Sequence, residues 1–302
     1  MWNEAGPVLV PLKMDADFSL DKSSRQALAE ATAFARKNQS DIVLFHVVNM
    51  SDEETQRLEA ANSRPVREHY SSVKATLEEA TTNLRKESIS ADWKIRFGNP
   101  WLAIVKEAIA IGARLVCIGT GEPGTLWRAL LGSTSMKVLR KCPSPVWIAK
   151  TEIADPEGVV LVAHDLKEVG KRALQWGLQL AQEQKRRLVV LHAVEVSPFS
   201  PVLSSPALDK VESAARAQIE GELSGCEIGH GLETRVAKGS PAALIHDLLE
   251  SMPVNILVMG TVARTGISGL IMGNTAETVL PWVSCSLVAL KPKDFVSPVQ
   301  PD

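Results

Sequence analysis

The feature that most constrains this chain is a repeat. The stretch Arg114 to Lys150 and the stretch Asn255 to Lys291 align without a gap. Gly119 matches Gly260, Thr120 matches Thr261, Gly132 matches Gly273, Ser133 matches Asn274, Thr134 matches Thr275 and Lys150 matches Lys291, every pair 141 positions apart. The register extends back through Gly98/Gly239 and Pro100/Pro241, then drifts, although His46/His192 and Val8-Leu9-Val10/Val160-Leu161-Val162 still correspond. The chain is therefore a tandem duplication of a unit of roughly 145 residues, and each copy is long enough to bury a core.

The second copy shows the unit most clearly. An apolar run, Ile256-Leu257-Val258-Met259, opens into a loop with Gly260, Gly266, Gly269 and Gly273. The loop delivers Asn274 and Thr275 to a short helical segment, Ala276 to Leu280, and an apolar strand, Ser286 to Leu290, closes the unit. A glycine-rich loop ahead of a helix N-terminus presents unpaired N–H groups and the positive end of a helix dipole, which suits an anion. Taken alone, the pattern also describes a tight turn.

The remaining elements alternate. In the first half, strands are expected at Val8–Lys13, Asp41–Val48, Trp93–Phe97, Leu115–Gly119 and Val146–Ala149. Between them lie a helix capped by Ser23 or Ser24, a long polar helix over Ser51–Lys86 that frays near Arg64-Pro65, and Trp101–Ile111 started by Asn99-Pro100. The second half repeats the series with strands at Val159–Ala163, Arg187–Val194 and Thr234–Ala237. Its helices are Lys171–Gln184, Ser205 to about Leu223, and one started by Ser240-Pro241. Domains are set at 1–150 and 158–292, joined by the acidic linker Thr151–Glu157, with 293–302 as a loosely docked or disordered tail. Strands apolar on both faces, alternating with helices, imply α/β architecture: two tandem doubly wound five-stranded parallel sheets flanked by helices. With strand order 3-2-1-4-5, a ligand crevice falls between the ends of strands 1 and 4, where Asp165 faces Gly260.

A net charge of −2 gives no reason to expect a nucleic acid or an anionic membrane as partner. Cys117, Cys142, Cys226 and Cys285 show no metal-binding spacing, and the N-terminal residues do not read as a signal peptide, so a reduced, cytoplasmic setting is expected.

These residues resemble the universal stress protein family, of adenine-nucleotide α-hydrolase-like fold. Its nucleotide-binding members carry G-x2-G-x9-G-(S/T) after strand 4, an Asp at the end of strand 1, and an LHV-like end to strand 2. The second half reads Gly260-x2-Ala263-x9-Gly273-Asn274, with Asp165 and Leu191-His192-Ala193. The first half reads Gly119-x2-Glu122-x9-Gly132-Ser133, with Phe45-His46-Val47. The resemblance covers nearly the whole chain, and its tandem form is similar to the bacterial E-type members. It implies that ATP or another adenine nucleotide, with or without magnesium, binds the second half. There Asp165 would recognise the adenine amino group, the main chain of Ala193 would border the base, and Gly260, Ala263, Arg264, Gly273, Asn274 and Thr275 would surround the phosphates. It also implies a dimer seam along the fifth strands, either as a pseudo-dimer of the two halves or as a homodimer.

Both motifs depart from the pattern. In the first half Lys13 stands in the Asp position and cannot accept a hydrogen bond from an amino group. Glu122 replaces the second glycine; a carboxylate roughly 5 Å from a phosphate charge costs about 3 kcal/mol at an effective dielectric near 20. That half is read as lacking a working site, with Gly132-Ser133 a turn and helix cap. In the second half Ala263 costs little at negative φ and about 1 kcal/mol or more at positive φ. Asn274 can donate to phosphate and can cap the helix, and Arg264 adds a planar cation. The plain alternatives are a solvated strand end for Asp165 and an N-cap for Asn274. His46 and His192 read as packed, hydrogen-bonded side chains rather than metal ligands. There is no GxxxxGK[ST] and no defensible Ser-His-Asp or Cys-His pairing, so a non-enzymatic stress-response protein is expected. The competing class is an interaction or carrier module for an apolar small molecule or a partner protein.

Overall fold

A computed structural model describes residues 5–51, 64–120, 133–150, 155–195, 205–227, 229–261 and 273–300. The chain divides into two compact units, Met1–Thr151 with Val296–Asp302, and Glu152–Phe295.

In the first unit, strands β1 (Val8–Pro11), β2 (Ile42–Asn49), β3 (Ala91–Gly98), β4 (Leu115–Gly119) and β5 (Val146–Ala149) run parallel in the order β3-β2-β1-β4-β5. In the second unit, β6 (Val159–Ala163), β7 (Leu188–Val194), β8 (Leu232–Lys238), β9 (Val254–Gly260) and β10 (Ser286–Leu290) run parallel in the order β8-β7-β6-β9-β10. Each unit is thus a doubly wound five-stranded parallel sheet of order 3-2-1-4-5. Burial shows why the sequence alternates as it does. All four residues of β1 are buried, whereas β3 and β8 consist mostly of half-buried and exposed positions. Central strands carry helices on both faces and are written as continuous Val, Ile and Leu; β5 and β10 are buried throughout as well, and only β3 and β8 are written with polar residues along their length. Removing each such side chain from water contributes about 1.5–3 kcal/mol.

The helices are α1 (Lys22–Asn38), α2 (Arg64–Lys86), α3 (Pro100–Ala110) and α4 (Ser133–Lys141) in the first unit. The second holds α5 (Glu168–Glu183), α6 (Ser205–Leu223), α7 (Pro241–Ser251) and α8 (Asn274–Val279), the last followed by a 3-10 turn over Leu280–Trp282. Several starts differ from the sequence reading. Asp21, not Ser23 or Ser24, is the N-cap of α1, and its Oδ1 accepts from the Ser24 amide at 2.6 Å. Asp outcompetes the serines here because the extended residue ahead of the turn is the one whose side chain can fold back on it. Asn99 occupies the cap of α3 without a side-chain capping bond, while Ser240 caps α7 through the Ala243 amide at 3.2 Å. Of the long helix expected over Ser51–Lys86, α2 begins at Arg64, and residues 52–63 lie outside the described set. The tail makes a specific contact in the first unit: Val299 is buried and Ser297 Oγ donates to the Lys141 carbonyl at 2.8 Å.

The first part of the drift in the repeat has a local cause. Val8 and Val160 stand 152 positions apart but His46 and His192 only 146, so the first half is six residues longer between them. The extra residues lie between Lys13 and Lys22, where an antiparallel bridge pairs Met14 with Leu20. In the second unit the same connection runs from Asp165 to Glu168.

The strand-2 histidines are structural ties. His46 Nδ1 donates to the Leu12 carbonyl at 2.9 Å, and His192 Nδ1 donates to the His164 carbonyl at 2.8 Å. Burial pushes the His46 imidazole below its ordinary value of 6.5; the Leu12 hydrogen bond opposes this less strongly, and His69 adds to the lowering. The unfolded chain then binds this proton more tightly than the folded one, so the contribution is complete above pH about 6.5 and is lost as the pH falls toward the depressed folded value. Denaturant unfolding between pH 5 and 8 is expected to show the first unit losing stability below pH 6.5. His46→Asn, whose amide can still donate to Leu12, is expected to flatten that slope.

Candidate functional site at the carboxyl end of the second sheet

A cavity of about 680 Å³ lies beyond the carboxyl ends of the second sheet's strands. Six of the residues singled out by sequence line it: Asp165, Ala193, Gly260, Gly273, Asn274 and Thr275. Ala263 and Arg264 lie outside the described residues. Glu122 and Gly132 of the first half also lie outside them.

Asp165 does more than end a strand. Its Oδ1 accepts from the Lys167 amide and the Gly170 amide, both at 3.0 Å. The carboxylate therefore caps α5, whose own N-cap, Lys167, makes no side-chain capping bond. This draws the helix start to Glu168, three residues ahead of the expected Lys171. A Cβ on Gly170 would lie 2.3 Å from Asp165 Oδ1, so the cap requires glycine there. Oδ2 of Asp165 makes no hydrogen bond among the described residues, and the side chain is exposed at the cavity wall.

Gly260 serves packing. A Cβ there would stand 2.8 and 2.9 Å from the two Val169 methyls, inside any real contact distance. Gly119 is its counterpart, with Ser23 backbone and Cβ atoms 2.4 to 2.8 Å from its would-be Cβ. In both units this glycine lets the first turn of a helix sit against the end of strand 4. The helix start after the loop also differs from expectation. Gly273 is the N-cap of α8 and Asn274 is the first helical residue, so the Asn274 amide does not cap the helix; its carbonyl accepts from Thr278 Oγ1 at 2.8 Å. The first N–H groups of a helix have no intrahelical partner, and those of α8 border the cavity.

The other walls mix character. Leu191, Ile245 and Met259 supply aliphatic surface; His192, Lys167 and Glu195 supply polar groups. His164, which the strand order places with Asp165 at the crevice, is buried at 3% exposure. Its Nδ1 accepts from the Leu166 amide at 2.9 Å, which places the proton on Nε2, and Nε2 donates to Glu222 Oε2 at 3.0 Å. Leu166 adopts φ 58°, a left-handed conformation costly for a leucine.

The first unit rebuilds this turn elsewhere. Strand register aligns Lys13 with Asp165, because Leu12 N bonds Phe45 O as His164 N bonds Leu191 O. Lys13 instead lies 3.9 Å from the Asp21 carboxylate. Four residues on, Asp17 Oδ1 accepts from the Ser19 amide at 3.0 Å, Phe18 takes φ 64°, and the Phe18 carbonyl accepts from Thr76 Oγ1 at 2.9 Å. An Asp followed by a left-handed residue therefore occurs in both units, displaced in the first by the longer loop, which a gap-free alignment misses.

Among the described residues no three His, Cys, Asp or Glu side chains gather as a metal set, and no helix is long and apolar enough to cross a membrane.

Two tandem doubly wound sheets of this order define an α/β protein of adenine-nucleotide α-hydrolase-like architecture. The chain belongs to the universal stress protein family: the family profile matches residues 7–150 and again 158–291. It is 32% identical over 216 residues to universal stress protein E of Escherichia coli K12, covering 67% of this chain and 68% of that one. It is 25% identical over 300 residues to universal stress protein E of Photorhabdus laumondii, covering 92% and 94%. Among solved structures, a functionally unknown protein from Pseudomonas aeruginosa PAO1 superposes with a TM-score of 0.70 at 24% identity, covering 96% and 94% of the two chains. A universal stress protein from Archaeoglobus fulgidus gives 0.67 at 19% identity, covering 96% and 99%. These structures share the fold.

The glycine at the end of β9 gives a direct test. Gly260→Ala is expected to destabilise the second unit by about 1–3 kcal/mol through overpacking against Val169. In a Val169→Ala background the same substitution should cost far less, a coupling that denaturant titration of the double-mutant cycle would measure.

Proposed function

We propose that the second unit holds an adenine nucleotide, ATP or another, with or without magnesium, and that the protein is a non-enzymatic stress-response protein whose first unit is a structural partner. The observation that carries this reading is the convergence of Asp165, the Ala193 main chain and the first turn of α8 on one cavity. Its volume of about 680 Å³ lies within the range of small-molecule sites. Aliphatic Leu191, Ile245 and Met259 offer a surface for a planar base, and the glycine-led start of α8 offers amides to an anion. The Asp165 oxygen not engaged by the helix is the acceptor suited to an amino group.

Binding, rather than turnover, is favoured by how the wall's histidines are used. Both ring nitrogens of His164 are engaged, by Leu166 and Glu222, and Nδ1 of His192 is engaged by a backbone carbonyl. Phosphoryl transfer would need a positioned metal, a lysine on the phosphates and a group orienting the nucleophile. The aliphatic wall favours a second reading, in which the cavity carries an apolar small molecule.

The test is the nucleotide content of freshly purified protein, by denaturation and chromatography, with titration of ATP and magnesium. Asp165→Asn is the discriminating variant. Its amide oxygen can still cap α5, while its NH2 now meets the adenine amino group donor to donor. About one nucleotide per chain is expected, lost in Asp165→Asn with affinity down at least tenfold, the worth of one charge-assisted hydrogen bond. Asp17→Asn and Lys13→Ala should retain it. No nucleotide and no heat on titration would sink this reading in favour of the apolar ligand.

A further inference from the structure

The turn that carries Asp165 is held by a closed hydrogen-bond circuit. The Leu166 amide donates to His164 Nδ1 at 2.9 Å, and His164 Nε2 donates to Glu222 Oε2 at 3.0 Å. Gln218 Nε2 donates to Glu222 Oε1 at 3.1 Å and to the Leu166 carbonyl at 3.2 Å. The circuit thus leaves Leu166 by its amide and returns by its carbonyl, through two side chains one turn apart on α6. The His164 side chain is wholly buried and that of Glu222 is 15% exposed.

The first unit supplies an internal control. Phe18 adopts the same left-handed conformation, and its carbonyl accepts from Thr76 on α2 at 2.9 Å. Ala16 precedes Asp17 where His164 precedes Asp165, and Ala80, four residues after Thr76, stands where Glu222 stands after Gln218. There the Phe18 amide is tied locally, donating to the Asp15 carbonyl at 3.0 Å, so a left-handed residue after Asp needs neither an imidazole nor a carboxylate. In the second unit the imidazole and carboxylate replace that local tie and fasten the Leu166 amide, as well as its carbonyl, to α6, which constrains the direction in which Asp165 leaves the backbone. A hydrogen-bonding carboxylate gains selectivity only when its oxygen is held in place before the ligand arrives.

We infer that Glu222, His164 and Gln218 are positioning residues that aim the Asp165 carboxylate into the cavity and so set the cavity's preference for a ligand bearing an amino group. Glu222 and Gln218 do not line the cavity. The inference rests on the nucleotide reading only for the identity of the ligand; the aiming of Asp165 is a property of the protein alone.

The experiment uses the full chain as wild type, Glu222→Ala and Gln218→Ala, with two readouts. The first needs no ligand: amide-resolved hydrogen exchange at Lys167 and Gly170, whose N–H groups bond Asp165 Oδ1. Exchange is expected to quicken about tenfold in Glu222→Ala, equivalent to losing one charge-assisted hydrogen bond, while amides of β6 and β7 stay protected. The second is the ratio of affinities for ATP and inosine triphosphate, which carries a carbonyl in place of the adenine amino group. Wild type should prefer ATP, Glu222→Ala should bring the ratio toward one, and in an Asp165→Asn background Glu222→Ala should not change it further. A purely structural role would weaken both nucleotides equally and leave the ratio intact. Gln218→Ala, at the exposed end of the circuit, repeats the test should Glu222→Ala fold poorly. Unchanged exchange at Lys167 and Gly170 in both variants would overturn the inference, as would an unchanged ratio. If wild type binds neither nucleotide, the nucleotide reading fails, and the exchange measurement alone decides whether the circuit aims Asp165.

Discussion

How closely the first turn of α5 can approach the ends of β6 and β9 governs the whole mouth of the second sheet. Two glycines permit the approach. Gly260 leaves room for Val169, and Gly170 leaves room for the Asp165 carboxylate beneath the helix start. With the helix seated there, Asp165 is held by two backbone amides, and the strand ends, the helix and the first turn of α8 enclose one cavity. A methyl group at either glycine would force the helix outward or displace the carboxylate. In a close-packed interior a displacement of that kind is felt along the whole contact.

The two units solve the same packing problem with different caps. In the second, one Asp both ends the strand and caps the helix, so the connection is short. In the first, the roles are divided: Lys13 ends the strand, Asp17 forms the tight turn and Asp21 caps α1. The division needs a longer loop. It accounts for the change of offset from 152 at Val8/Val160 to 146 at His46/His192. The glycine at the end of strand 4 is kept in both units, because helix-to-strand contact needs it whatever the loop does.

Buried polar groups at the second mouth are satisfied in a chain. His192 ties the end of β7 to the end of β6, His164 ties the same strand end to α6, and Gln218 closes on Leu166. Such networks rigidify when every member is paired, since a buried unpaired donor or acceptor is costly in a low dielectric. Rigidity there fixes the Asp165 side chain, which is too short to adjust by its own reach.

The sequence alone determined the duplication, the alternation of elements and the parallel order. The spacing of the glycines and the continuous apolar strands leave few other ways to bury the chain. It also indicated that Asp165, Gly260, Gly273, Asn274 and Thr275 belong to one end of one sheet. What it could not show was the work each does. Gly260 reads in sequence as part of a phosphate surround and also makes room for Val169; Asn274 reads as a cap and proves to be the first helical residue. Asp165 reads as an adenine-recognising carboxylate or a solvated strand end, and in the structure one of its oxygens holds a helix. His164, Gln218 and Glu222 carry no motif at all, being 54 to 58 residues apart from His164 to the helix that answers it. Hydrogen bonds of that kind depend on where α6 lands against the loop after β6. That placement is set by packing across the unit, not by any local pattern, and so only the tertiary structure decided it.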